Sequence, residues 1–145
     1  MNQPILSIIT VNFNNNEGLT STLESVRQQT FTSYEHIIID ANSTDGSKET
    51  IIQYSNTTSH LAYWISEPDS GIYYGMNKGI EKARGKYLYF LNSGDCLKKD
   101  VLSQIPFDGT QYIYGDIIVI LPNKSKLEIN YPNTINTALF LVRDT

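Results

Sequence analysis

Cysteine occurs once in this 145-residue chain, at Cys96. A lone thiol can form neither an internal disulfide nor a four-ligand zinc site, and a reduced, cytoplasmic setting fits. Positive charge is also scarce: 11 Lys and Arg face 15 Asp and Glu, for a net charge of -4 and a pI near 5.0. Phosphate backbones are held by clustered cations, so nucleic acid is excluded as the main partner. The densest basic pair, Lys98-Lys99, reads as a solvated helix start. Long apolar runs are missing too. Stretches such as Ile117 to Leu121 are far too short to span a bilayer. Met1-Asn2-Gln3-Pro4 puts no basic segment ahead of an apolar run, so no signal peptide is expected. Nothing here inserts, which leaves peripheral association at the inner face of the membrane open. Two phosphate cradles are absent as well: no G-x-x-x-x-G-K-[ST], and no G-x-G-x-x-G after the first strand.

What is present is a regular alternation. Ile5 to Val11 is a short β-branched run that reads as a strand buried on both faces, as in a parallel sheet. Asn14, Asn15 and Asn16 offer a helix N-cap, and Leu19, Leu23 and Val26 then recur at helical spacing. Tyr34 to Asp40 is a second strand, Asp45-Gly46-Ser47 opens a second helix, and Leu61 to Ser66 is a third strand. Ile72, Met76, Ile80 and Ala83 share one helical face, with Gly75 and Gly79 four apart for close packing and Gly85 as a C-terminal stop. Lys86 to Asn92 is a fourth strand, and a short helix covers Asp100 to Ile105. Tyr112 to Leu121 reads as a strand whose hairpin partner is Lys126 to Tyr131, and Ala138 to Val142 as a strand interrupted early. Alternating β and α through residue 105 means right-handed βαβ units and a mostly parallel sheet, within one domain.

In an open sheet of this kind the ligand lies beyond the carboxyl ends of the strands. Asn12, Phe13 and Asn14 follow the first strand; Asp40 ends the second, with Asp45 in its loop; Glu67 and Asp69 follow the third; Asn92 to Asp95 follow the fourth. Carboxylates repel a bare diphosphate but become useful when Mn2+ or Mg2+ bridges the two, and they accept hydrogen bonds from ribose or a base edge. Acids in such loops serve equally well as caps and turns, and the pattern by itself leaves both readings open.

The strings SIITVNFNN, IIIDANSTDGS, WISEPDSGIYYGMNKGI and GKYLYFLNSGD, in that order, resemble family-2 glycosyltransferases, inverting enzymes of Rossmann-like GT-A fold, over residues 5 to 118. They are most similar to bacterial members that build surface polysaccharides. The resemblance implies an α/β domain over 1–145, with a nucleotide-binding part at 1–105 and an incomplete acceptor-side β-rich part at 106–145, truncated at its C-terminus. It implies transfer of a sugar from a nucleoside-diphosphate sugar, most often a UDP-sugar, to a glycan or lipid-linked acceptor with inversion, assisted by Mn2+ or Mg2+. Thr10, Val11 and Asn12 match the segment lining the nucleoside pocket, and Asp40 the carboxylate that accepts the uracil N–H. Asp69 faces the donor; Ser93, Gly94 and Asp95 stand where the family has its Asp-x-Asp motif, with Asp95 the surviving metal ligand and Gly94 in place of a carboxylate. Asp45 reads as a cap or turn residue. Lys78 has two readings, a phosphate contact or a solvated helix face. Tyr73, Tyr74 and Tyr114 can stack on a base or sugar. Asp116 lies at the site edge, and Cys96, with no base paired to it, reads as a small buried apolar residue. The family's general base belongs to a segment this chain does not contain. The alternative is a nucleotide-sugar-binding module working with a partner chain, and apolar surface left uncovered would favour a homo-oligomer.

Overall fold

A computed structural model describes residues 2–109, 112–113, 117–120, 123–129 and 140–142. The elements run β1 (Leu6–Asn12), α1 (Asn16–Arg27), β2 (Tyr34–Asp40), α2 (Ser47–Ser55), β3 (Leu61–Ser66), α3 (Ile72–Lys82), β4 (Tyr87–Phe90), a 3-10 turn (Leu102–Gln104), β5 (Tyr112–Ile113), β6 (Ile117–Ile120), β7 (Lys126–Ile129) and β8 (Phe140–Val142). The main sheet has the order β3-β2-β1-β4-β8-β5. Its first four strands are parallel, and β8 runs antiparallel to both neighbours.

Every residue of β1 and β2 is buried, as in parallel strands covered on both faces, and the apolar stretches Ile8-Ile9 and Ile37-Ile38-Ile39 show no polar alternation. Alternation along the strands splits the core. Ile9, Val11, Ile37 and Ile39 face Met76, Ile80 and Ala83 around α3. Leu6, Ile8 and Tyr87 pack with Val26, and Ile38 with Leu19, Leu23, Ile51 and Tyr54, on the side of α1 and α2. Asn15 caps α1 by accepting from the Gly18 N–H at 3.2 Å.

Gly75 and Gly79 let α3 lie directly on β1. A Cβ at 75 would come within 2.8 Å of Val11 Cγ1, and one at 79 would collide with Ile9 Cγ2. Gly85 has a different task from the one its position suggests. The helix ends at Lys82 with Ala83 already extended (φ -69°, ψ 135°), and Gly85 presses against β1, where a Cβ would sit 2.5 Å from Ser7 N. Gly79→Ala is expected to lower stability by about 1–3 kcal/mol, the overpacking range, less about 1 kcal/mol of regained helix propensity. Gly85→Ala is expected to cost more, because a strand backbone cannot step aside. Urea unfolding of both variants checks the order, and a Gly85→Ala chain as stable as the parent would refute the close-approach reading.

One strand and one helix expectation change. The run from 112 to 121 is not one strand: Tyr112–Ile113 joins the main sheet, while Ile117–Ile120 pairs antiparallel with Lys126–Ile129 in a separate hairpin. The helix expected over 100–105 is a single 3-10 turn.

Candidate functional site

A cleft of about 620 Å³ opens where the carboxyl ends of β1 to β4 meet. The end of β1 contributes Val11, Asn12, Phe13 and Asn15; the loop after β2, Ala41 and Asn42; the loop after β3 and the start of α3, Pro68, Asp69, Gly71 and Ile72; the end of β4, Asn92 and Ser93. Four expected site residues, Val11, Asn12, Asp69 and Ser93, therefore share one cavity.

Thr10 and Asp40 do not line it. Thr10 is buried in the sheet, with its hydroxyl 2.8 Å from His36 Nε2. Asp40 has 0% of its surface exposed and its carboxylate is fully occupied. Oδ1 accepts from Asn12 Nδ2 at 2.7 Å and the Ser43 hydroxyl at 2.6 Å. Oδ2 accepts from Ser43 N at 2.9 Å and the Ser66 hydroxyl at 2.6 Å. Burial pushes this carboxyl up, but the hydrogen bonds from Ser43, Ser66 and Asn12 outweigh it and hold the group below the usual carboxylate range. All four partners of the Asp40 carboxylate thus belong to the chain itself. With every lone pair taken, Asp40 clamps the ends of β1, β2 and β3 from beneath the cleft. Asp45 is a turn residue, as expected: Oδ1 takes Ser47 N and Oγ, and Oδ2 takes Asn16 N at 2.7 Å, tying the starts of α1 and α2 together.

Three buried side-chain oxygens among the described residues lack a hydrogen-bond partner: Asn12 Oδ1, Asp69 Oδ2 and Asn92 Oδ1. All three residues line the cleft. Asp69 uses only its other oxygen, which accepts from Gly71 N at 3.0 Å. Orphaned acceptors are rare and costly, and three gathered in one cavity call for a ligand that brings donors or positive charge.

The turn from Asn92 to Asp95 closes the β4 side. Asp95 N donates to Asn92 O at 3.0 Å, and Gly94 sits at φ +100°, where a side chain would be strained. That backbone accounts for glycine where the family motif has a carboxylate. Thr22 of α1 fixes the turn, its hydroxyl accepting from Gly94 N and donating to Asp95 O at 2.7 Å. Gly94 and Asp95 are exposed beside the cleft rather than in its lining. The Asp95 carboxylate takes no hydrogen bond or ion pair from the described residues. Among the described residues no group of three or more His, Cys, Asp or Glu is placed to hold a metal. A single free carboxylate still suits Mg2+ or Mn2+, which take their remaining ligands from phosphates and water.

Other expectations sort as follows. Cys96 is exposed, not buried, and its thiol is pushed up by desolvation and the nearby Asp95 charge, which suppresses the thiolate a nucleophile needs. Lys78 is paired with Glu67 at 2.9 Å. Ile72 leaves the α3 core face for the cleft, and Tyr73 and Tyr74 beside it are exposed. Tyr114 and Asp116 lie outside the described residues. Ala41, Asn42 and Pro68 were not singled out from sequence. Their signal is position alone, one to two residues beyond a strand end.

A family model described as Glycosyl transferase family 2 matches residues 7–125. An uncharacterized glycosyltransferase of Mycobacterium tuberculosis is 43% identical over 104 residues, covering 70% of this chain and 38% of that relative. A Bacillus subtilis glycosyltransferase whose name places it in teichuronic acid biosynthesis is 35% identical over 102 residues, covering 70% of this chain and 40% of its own. The chain thus spans about two-fifths of the length of these curated relatives. Among solved structures, S. aureus TarS in complex with UDP-GlcNAc matches with a TM-score of 0.68 at 22% identity, over 77% of this chain and 34% of that one. A Pyrobaculum calidifontis mannosyltransferase in complex with GDP-Man and Mn2+ gives 0.67 at 17%, over 84% and 37%. Identities this low speak to the fold alone, and the fold is the Rossmann-like GT-A arrangement. By its sequence match and its architecture, this chain belongs to glycosyl transferase family 2.

Proposed function

We propose that the chain is the donor-binding part of a glycosyltransferase of cell-surface polysaccharide synthesis, holding a UDP-sugar whose sugar passes, with inversion, to a hydroxyl of a glycan or lipid-linked acceptor. The observation that carries this reading is the set of three unpartnered oxygens in the cleft. A bare phosphate brings only acceptors and leaves them unsatisfied. The hydroxyls of a ribose and a sugar, and the N–H of a base, are donors. Support also comes from the relative named for teichuronic acid biosynthesis and from the neighbours bound to UDP-GlcNAc or to GDP-Man with Mn2+. Asp95 would hold the cation, with the donor's phosphates completing its shell. Such a cation stabilises charge on the departing diphosphate. In this proposal the chain itself binds and orients the donor at the cytoplasmic face of the membrane. Among the described residues no helix is long and apolar enough to cross a bilayer.

UDP is expected to raise the melting temperature in Mn2+ or Mg2+, and far less in chelator. At a hundredfold excess over Kd the stabilisation is about 2.7 kcal/mol, or roughly 5–10 °C for a chain of this size. Asp95→Asn is expected to remove the metal-dependent part and leave the unliganded melting temperature alone, since the residue is exposed. A thermal shift indifferent to metal would count against the site. UDP binding without sugar transfer by the chain would favour a binding module that works with a partner.

A further inference from the structure

The segment from 91 to 101, between β4 and the 3-10 turn, has no helix or strand of its own. Its buried N–H and C=O groups need partners all the same, and side chains of α1 supply them. Thr22, Ser25 and Gln29 recur at spacings of three and four along α1 and just past its end, interleaved with the core residues Leu23 and Val26. They are 0%, 9% and 9% exposed, and each turns to that segment. Gln29 donates to Lys98 O and accepts from Leu102 N, both at 3.0 Å. Ser25 Oγ accepts from Leu97 N at 3.1 Å, and Thr22 Oγ1 from Gly94 N at 3.0 Å. Thr22 has one proton to give. A helical threonine commonly returns it to the carbonyl four residues back, here Gly18 O at 3.0 Å, but Asp95 O is nearer at 2.7 Å. The hydroxyl therefore bridges the main chain of Gly94 and Asp95. The backbone of Asp95 is fixed on both sides, its N–H to Asn92 O at 3.0 Å and its C=O to Thr22, while the residue itself stays exposed.

We propose that Thr22 is the positioning residue of the cation site: its buried hydroxyl pins the Gly94-Asp95 main chain to α1, so that the one carboxylate stands in place before metal and diphosphate arrive. The proposal rests on the donor-site reading above. Thr22, buried beneath the turn, touches neither ligand. A site with a single protein carboxylate depends wholly on where that group sits. A turn free to wander would have to be ordered on binding, and the entropy lost would be subtracted from the affinity. Ser25 and Gln29, farther along the same stripe, hold residues beyond Asp95 and serve the fold. Valine at 22 keeps the shape of threonine but leaves the Gly94 N–H and the Asp95 carbonyl without their partner; serine keeps the hydroxyl.

Isothermal titration of the chain with UDP, in Mn2+ and in chelator, tests this. Thr22→Val is expected to weaken UDP binding in Mn2+ about tenfold or more, the usual effect of losing an outer partner of a metal ligand, and to leave binding in chelator as it is. Thr22→Ser is expected to restore the Mn2+ effect. Ser25→Ala frees Leu97 N in the same way, two residues past Asp95. It is expected to lower the melting temperature as Thr22→Val does, yet to keep the Mn2+ effect; a merely structural role would make the two variants alike. If Thr22→Val does not fold, amide hydrogen exchange on the metal-free parent gives the answer, with the Gly94 N–H expected to exchange about tenfold or more slowly than a free amide. An Mn2+ effect that survives Thr22→Val, one that Ser25→Ala removes just as fully, or a Gly94 N–H that exchanges freely until Mn2+ and UDP are added, would overturn the proposal while leaving the donor site standing. A parent chain whose affinity for UDP ignores Mn2+ would remove the cation site itself, and the proposal with it.

Discussion

Asp40→Ala is expected to destabilise the chain by about 3 kcal/mol or more and to abolish measurable UDP binding. The change removes one carboxylate but strands several donors at once: Asn12 Nδ2, Ser43 N, and the hydroxyls of Ser43 and Ser66. Each buried polar group left without a partner costs about 1–3 kcal/mol. The hydroxyls can turn to other acceptors, but the backbone N–H of Ser43 and the Asn12 amide cannot, which sets the lower bound. Binding fails for a geometric reason. Asp40 holds the loop that carries Ala41 and Asn42, and the Asn12 side chain, in their places around the cleft. Ser66→Ala, which removes one donor to the same carboxylate, is expected to cost only about 1 kcal/mol and to leave UDP binding within a few-fold of the parent. Urea denaturation with nucleotide titration separates the two. An Asp40→Ala chain within 1 kcal/mol of the parent would mean that the clamp is not holding these strand ends.

That residue also marks where the sequence stops being readable. Strand ends are legible because β-branched runs such as Ile37-Ile38-Ile39 stop at polar residues, and the topology rule then says where the cleft must lie. β2 and β3 appear with the boundaries expected of them, and Asn12, Asp69 and Ser93 fall in the cavity. What the pattern does not encode is which polar groups satisfy one another. Thr10 and Asp40 sit at the right end of the right strands, yet their side chains find partners inside: His36 for the first, and Asn12, Ser43 and Ser66 for the second. Ser43, three residues after Asp40, is a local turn signal that could have warned of this. Ile72 shows the converse. Helical spacing puts it in line with Met76 and Ile80, but the first turn of α3 overhangs the sheet edge, and there the same face looks into the cleft. Cys96 is exposed for a similar reason, since it follows a turn that Thr22 holds at the surface.

The second large effect is on stability against acid. His36 is fully buried between β1 and α2, with Nε2 2.8 Å from the Thr10 hydroxyl and Nδ1 3.0 Å from the Tyr54 hydroxyl. Burial, helped by the charge of His60, pushes its pKa down to about 3 from an ordinary 6.5. The folded protein thus keeps this imidazole neutral, while the unfolded chain takes up a proton once the pH drops below 6.5. Between those two values the unfolded state binds more protons, so stability rises with pH across the window and is lost as pH falls through it. Each unit inside the window is worth about 1.4 kcal/mol, which makes the loss from pH 7 to pH 5 about 2 kcal/mol. Asp40 adds to the same trend only lower down. Its carboxyl is held below the usual range, so its contribution is intact above about pH 4 and fades as the pH falls further. Urea unfolding at pH 7, 6 and 5 therefore isolates the histidine. The slope is expected to persist in His60→Gln and to vanish in His36→Gln, whose amide can serve both hydroxyls without titrating. A parent chain equally stable at pH 7 and pH 5 would mean that water reaches His36, and that the packing of Thr10, His36 and Tyr54 beneath the cleft is looser than these distances require.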